Sequence, residues 1–316
     1  MTRSPSFCVS HLARRTALFV IALACVVLAA ADRGSSASSG PALVVEQGGV
    51  LYAFAADGSR RVRLVKTSLP GRDAAVSPDG STVAFAWKGG ISTMRLDGSH
   101  RTIVTRGDDR SPAWAPNGRT IYFVRSQDRF GESCGSIFAV SASGTDIRRI
   151  TNSSAAGHSH LDPAPSPDGR RIAFTDWDAC AGGTSSPRLR VIDLSGRPTD
   201  DLARLPHNGY YPDPEHSCPV WSPDGTRLAF RRNADLAVAE SDGAAERRLV
   251  RGGGALLYEP PSWSPDGDWI AFTRYDIGRS SFSLVAVHPD GTRLHQLART
   301  VKGEYSLAGW LQSMPR

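Results

Sequence analysis

Imidazoles and carboxylates crowd into one stretch of this 316-residue chain: His158, His160, Asp162, Asp176, Asp178, His207, Asp213, Glu215 and His216. Imidazole nitrogen and carboxylate oxygen suit divalent transition metals. His158, His160 and His216, with one carboxylate, are therefore a candidate metal set. An enzymatic use of such an ion would also need a base and an electrophile beside it. Aromatic residues run through the same stretch. Trp177, Tyr210 and Tyr211 could supply apolar contact to a partner, with Asp178, Asp213 and Glu215 as a charged rim. This binding-module reading is preferred. It assigns no catalytic residue, needs no cofactor, and recognises no serine-hydrolase motif.

Three cysteines, Cys134, Cys180 and Cys218, lie near these residues, while Cys8 and Cys25 sit close to the N-terminus. A C-x-x-C spacing that would suggest zinc is absent. In an oxidising compartment, one disulfide and one leftover thiol is the expectation. Cys134–Cys180 is the favoured pair and Cys180–Cys218 its rival.

The elements that must position these groups are set by a repeat. Trp221-Ser222-Pro223-Asp224-Gly225 precedes Leu228-Ala229-Phe230, and Trp263-Ser264-Pro265-Asp266-Gly267 precedes Ile270-Ala271-Phe272. Further copies are Ser77-Pro78-Asp79-Gly80 before Val83-Ala84-Phe85, and Ser166-Pro167-Asp168-Gly169 before Ile172-Ala173-Phe174. A worn copy is Ala115-Pro116-Asn117-Gly118 before Ile121-Tyr122-Phe123. Pro presets φ for a tight turn, Asp bonds its own backbone, and Gly accepts the left-handed position. Short β-rich flanks make each copy a hairpin. A second hairpin with Asp-Gly or Ser-Gly at its tip follows, as at Asp97-Gly98, Ser143-Gly144, Asp242-Gly243 and Asp290-Gly291. Each unit thus reads as four short strands, a to d.

Repeats of this kind specify a stacked or circular array. The expected fold is all-β: a six-bladed β-propeller of four-stranded antiparallel blades. Residues 42–65 supply strands b, c and d of the first blade but no strand a. Ser306 to Leu311 is expected to provide it and close the ring. The short turns would share one face. The long loops, and with them the candidate site, would share the other. Trp114, Trp221, Trp263 and Trp310 recur in strand a and are read as blade-to-blade packing.

Residues 1–31 have the basic, apolar and small-residue parts of a secretory signal, with Arg14-Arg15 before the run Ala17 to Ala31. Residues 32–41 read as a flexible spacer and 42–316 as the propeller. The formal charge of +6 includes Arg3, Arg14 and Arg15 of the leader. The remaining excess is small and scattered, which argues against nucleic acid. The protein is expected to be exported, to the periplasm, cell envelope or medium. It is also expected to be monomeric and to have no membrane span after processing.

The Trp-Ser-Pro-Asp-Gly-x-x-Ile/Leu-Ala-Phe repeat resembles that of TolB-type β-propellers, over essentially all of residues 42–311. The resemblance implies an exported six-bladed propeller built for binding, with an envelope protein or extracellular ligand as partner. TolB itself carries an additional N-terminal α/β domain, which is not expected here. Some metal-dependent lyases acting on sugars use similar propellers, which implies as the alternative a lyase-like enzyme acting on a sugar or related substrate. Propellers of this type also precede the catalytic domain of prolyl-oligopeptidase-like peptidases. No hydrolase domain is expected here, so peptidase activity is set aside.

Overall fold

The computed structural model describes residues 40–65, 72–126, 134–153, 158–177, 186–195, 197–199, 215–252, 255–257, 260–276, 278–298 and 305–315. Within them every regular element is a strand, and the strands form six antiparallel sheets. No helix among the described residues is long and apolar enough to cross a membrane.

The first blade contains β1 (Ala42–Gln47), β2 (Val50–Ala55) and β3 (Arg61–Arg63). The second runs β4 (Arg72–Val76), β5 (Thr82–Trp87), β6 (Gly90–Arg95) and β7 (Thr102–Ile103). The third runs β8 (Asp109–Trp114), β9 (Thr120–Ser126), β10 (Gly135–Ser141) and β11 (Arg148–Arg149). The fourth has β12 (Ser159–Pro165), β13 (Arg171–Trp177) and β14 (Arg188–Asp193). Among the described residues, its outer edge shows a bridge between Ile192 and Pro198. The fifth runs β15 (His216–Trp221), β16 (Arg227–Arg232), β17 (Asp235–Glu240) and β18 (Arg247–Val250). In the sixth, the inner strand is split into β19 (Ala255–Leu257) and β20 (Ser262–Trp263), both against β21 (Ile270–Asp276), followed by β22 (Ser281–Val287) and β23 (His295–Gln296). Finally β24 (Ser306–Leu311) returns to the first blade in the order β24-β1-β2-β3. Leu43 faces Trp310 and Val44 faces Gly309, so the ring closes as the repeat requires.

Short turns hold the hairpins. In the fifth blade Ser222 Oγ donates to Asp224 at 2.6 Å and accepts from the Arg227 amide at 2.9 Å, while Gly225 takes φ 71°. The Ser222 and Thr226 hydrogen bonds hold the Asp224 carboxyl below its ordinary range. The same Ser–Asp arrangement recurs at Ser77–Asp79 and Ser166–Asp168.

Each strand's two faces pack against different neighbours. Among the described residues there are six apolar clusters, one for each blade-to-blade seam. Phe85, Phe123, Phe174, Phe230 and Phe272, the last residue of each Ala-Phe or Tyr-Phe copy, are all essentially fully buried in them. The strand-a tryptophans also cross the seams. Trp114 Nε1 donates to the Ala75 carbonyl at 3.0 Å, Trp221 to Ala164 at 3.0 Å and Trp310 to Ser262 at 3.3 Å.

The inner strands are bulged. Their ladders shift between Arg72 and Ala75, Arg110 and Ala113, Leu161 and Ala164, and Ser217 and Val220. At each shift one residue takes a left-handed φ: Asp73 53°, Ser111 50°, Asp162 52° and Cys218 57°. Residue 112, 163 or 219, the next along, is proline in three of them. A bulge releases a residue from the ladder, and proline has no N–H to contribute there. This corrects the sequence reading, which placed the candidate site in the long loops. His160, Asp162, His216 and Cys218 stand on inner strands instead.

Candidate functional site

The inner strands give equivalent positions in successive blades. Five residues before Trp114, Trp221 and Trp310 stand Asp109, His216 and Tyr305. His160 holds that place in the fourth blade, ahead of Pro165. All four are buried at the loop end of their strands. The ring position is shared, but the chemistry at each differs.

In the fourth blade the focus is Asp176, at the far end of β13 and only 1% exposed. Its Oδ1 lies 2.7 Å from His158 Nδ1 and 3.5 Å from His160 Nε2. Its Oδ2 takes Arg188 at 3.2 Å and Arg190 at 3.3 Å. Burial acts to raise its pKa, but the hydrogen bonds and charges of His160 and His158 outweigh it. The carboxyl is held well below the usual range. Strand geometry explains the gathering. Leu189 and Val191 pack toward the fifth blade. Arg188 and Arg190 alternate onto the opposite face, where Asp176 lies. The His160 ring meets Phe174 edge-on at 4.9 Å between centroids, and its Nδ1 is buried without a partner.

His216 belongs to a separate cluster. Its Nε2 is 3.4 Å from Glu246, which also pairs with Arg232 at 2.7 Å. The three imidazoles proposed as metal ligands therefore serve two different carboxylates. Among the described residues no group of three or more His, Cys, Asp or Glu is arranged to hold a metal ion. No chemical step is assigned to an ion there.

Asp109 forms a third cluster, accepting from Arg125 Nε at 2.6 Å and Thr105 Oγ1 at 2.6 Å. Arg231 is 5% exposed, and burial lowers its pKa, opposed by Glu215 and Asp162. The arginines are thus not all a solvated surface. Several are built into the loop end of the ring.

Down the axis the inner strands enclose a cavity of about 310 Å³, lined by residues of all six blades. Asp73 and Asp162 face it from the second and fourth blades. Asp162 accepts from Thr175 Oγ1 at 2.9 Å, and Asp73 from the Ser111 amide at 3.2 Å. Burial pushes the Asp162 carboxyl up to about 6. Asp73 adds to that, while Thr175, Arg231 and Arg110 oppose it.

Of the partner-contact residues, Trp177 ends β13, half-buried, and Glu215 precedes β15 with its amide on Asn233 Oδ1 at 2.9 Å. Asp178, Tyr210, Tyr211, Asp213 and Cys180 lie outside the described residues. Cys134 and Cys218 are both buried, at 8% and 0% exposure. The sequence reading overlooked Arg188 and Arg190. Their alternation with Leu189 and Val191 on a β-rich segment was the available signal. It also overlooked Gly131-Glu132-Ser133-Cys134-Gly135, which has G-x-S-x-G spacing. That motif needs a strand-to-helix elbow. Here Gly135 opens a central antiparallel strand, and Ser133 lies outside the described residues.

Fold and site together define a six-bladed β-propeller with a polar ring at one end. The sequence and structure comparisons place it more closely. Residues 191–310 match the model of the dipeptidyl peptidase IV N-terminal region. An uncharacterized protein of Agrobacterium fabrum is 30% identical over 181 residues, 54% of this chain and 57% of that protein. A TolB homolog of Chlorobium luteolum is 29% identical over 136 residues, 42% of this chain and 27% of that one. The chain thus spans about half the length of the first relative and about a quarter of the second. TolB of Acinetobacter baumannii superposes with a TM-score of 0.62 at 20% identity, covering 86% of this chain and 67% of that one. For a putative TolB of Agrobacterium tumefaciens the values are 0.63 and 18%, covering 88% and 100%. An oligogalacturonate lyase in complex with manganese gives 0.52 at 15% identity, covering 73% and 70%. The fold is a TolB-type propeller.

Proposed function

We propose that the protein is an exported binding module of the cell envelope that recognises an envelope protein or an extracellular ligand through its long-loop face. The observation carrying this reading is the contrast between the two ends of the ring. At one end, Ser-Pro-Asp-Gly turns satisfy their own hydrogen bonds and have little left to offer. At the other, charged groups are fixed at strand ends around Asp176, with Trp177 and Glu215 beside them in the sequence reading of the rim. Rigid strands presenting irregular polar groups are the usual basis of recognition on such scaffolds. Export is supported by the leader-like residues 1–31 and by the TolB resemblance. Tyr210, Tyr211, Asp178 and Asp213 complete the proposed contact surface. A monomer without a nucleic-acid partner fits this reading.

Chemical cross-linking in the envelope fraction, followed by peptide mapping, tests it. Cross-links should map to the loop face, and Tyr210→Ala with Tyr211→Ala should reduce them. Cross-links confined to the Asp-Gly turns would overturn the reading. The lyase-like alternative draws on His158-x-His160 and the manganese-bound lyase of similar fold. Stoichiometric metal in the purified protein, lost in His158→Ala, would favour that alternative.

A further inference from the structure

We propose that Arg188 and Arg190 form a docking site for an extended acidic segment of a partner protein, one that presents carboxylates two residues apart. This rests on the envelope-binding reading and specifies the chemistry of the partner.

Charge is the first argument. Asp176 is one carboxylate facing two guanidiniums that stay charged at any physiological pH, and two imidazoles as well. Whatever the state of His158 and His160, the cluster keeps at least one uncompensated positive charge. Geometry is the second. Asp176 is fully inside, whereas the Arg188 and Arg190 side chains are 44% and 39% exposed. Both reach the same oxygen, at 3.2 and 3.3 Å. The buried acid therefore orients the guanidiniums from beneath, through Arg188 Nε and Nη2 and Arg190 Nη1 alone, while both side chains stay partly exposed. Spacing is the third. Residues two apart on one strand face are separated by roughly 6.5–7 Å. Acidic side chains at alternate positions of an extended segment repeat at the same distance. Each could meet one guanidinium in a two-pronged, charge-assisted pair. Pre-ordering by Asp176 lowers the side-chain entropy lost on docking.

Isothermal titration of the full chain with an end-blocked peptide of alternating Glu and Thr, at low constant ionic strength, tests the site. The peptide should bind. Its Gln-for-Glu counterpart should bind at least about tenfold more weakly, a comparison that requires no change to the protein. Arg188→Gln with Arg190→Gln should show a similar loss with an unchanged circular dichroism spectrum. Arg188→Lys with Arg190→Lys should recover only part of it, because the charge remains without the fork. Arg170→Gln, on the short-turn face, should bind as the parent does. Equal binding of the Glu and Gln peptides overturns the proposal, as does undiminished binding by the folded Gln variant. So does binding of an oligogalacturonide without binding of the Glu peptide. If the Gln variant still forms the loop-face cross-links of the parent in the envelope fraction, this site fails while the broader reading stands. If the parent forms none, the broader reading fails.

Discussion

Trp221 reaches across the seam between the fourth and fifth blades and donates its indole N–H to the Ala164 carbonyl at 3.0 Å. Trp263, at the equivalent place one blade on, is as buried, but its Nε1 has no partner. Both indoles carry an arginine over the ring, Arg171 at 4.7 Å and Arg227 at 5.0 Å. A Phe substitution at either site therefore removes similar area and leaves the cation contact. Only Trp221→Phe also strands a carbonyl. It should cost about 1–2 kcal/mol more than Trp263→Phe in urea unfolding. Equal losses would remove the indole bond from the list of seam interactions.

Asp162 should make stability fall as pH rises. Its folded pKa is raised to about 6, chiefly by burial. An unfolded aspartate titrates near 3.9. Between those values the native state keeps a proton that the unfolded chain releases, so its contribution is greatest below about pH 4. That contribution is lost progressively until about pH 6. The lost stability is of order 2–3 kcal/mol. Asp162→Asn should stabilise the protein at pH 7 by about 1–2 kcal/mol and change little at pH 4. Thermal melts at the two pH values would show this.

Asp176 should behave in the opposite sense. Its folded pKa is depressed, so its contribution is present above the unfolded value and is lost as pH falls below about 4. Asp176→Asn leaves Arg188, Arg190, His158 and His160 facing an uncharged amide. It should cost about 3–5 kcal/mol at neutral pH, with a smaller penalty at pH 3. A variant as stable as the parent at pH 7 would show that the cluster contributes nothing net.

A disulfide should engage Cys134 or Cys218. Both are buried. Non-reducing peptide mapping of protein alkylated before digestion should find one bond among Cys134, Cys180 and Cys218. Three alkylated cysteines would exclude it.

The ring was legible in the sequence because its signal is local. Ser222, Asp224 and Gly225 close their turn among themselves, and five copies of that turn imply a repeating unit. Strand a of the first blade was legible because a four-stranded unit lacking one member has to find it elsewhere. The site was less legible because its contacts are non-local. His158 and His160 stood out by residue type, but nothing in their spacing says that they share Asp176 while His216 turns to Glu246. Arg188 and Arg190 look like ordinary surface cations until β14 is laid beside β13. The bulges at Asp73, Ser111, Asp162 and Cys218 were not legible, since a shift in a ladder shows only when the pairing strand is in view.

Pairing Leu43 with Trp310 joins an early segment of the chain to a very late one. A ribosome delivers those segments far apart in time. Until Leu311 emerges, the blade holding Ala42–Gln47 has a naked inner edge, a template for pairing with another chain. Assembly of the toroid is consequently a last-step event. A nascent molecule stalled shortly before Ser306 should be the species most in need of a chaperone.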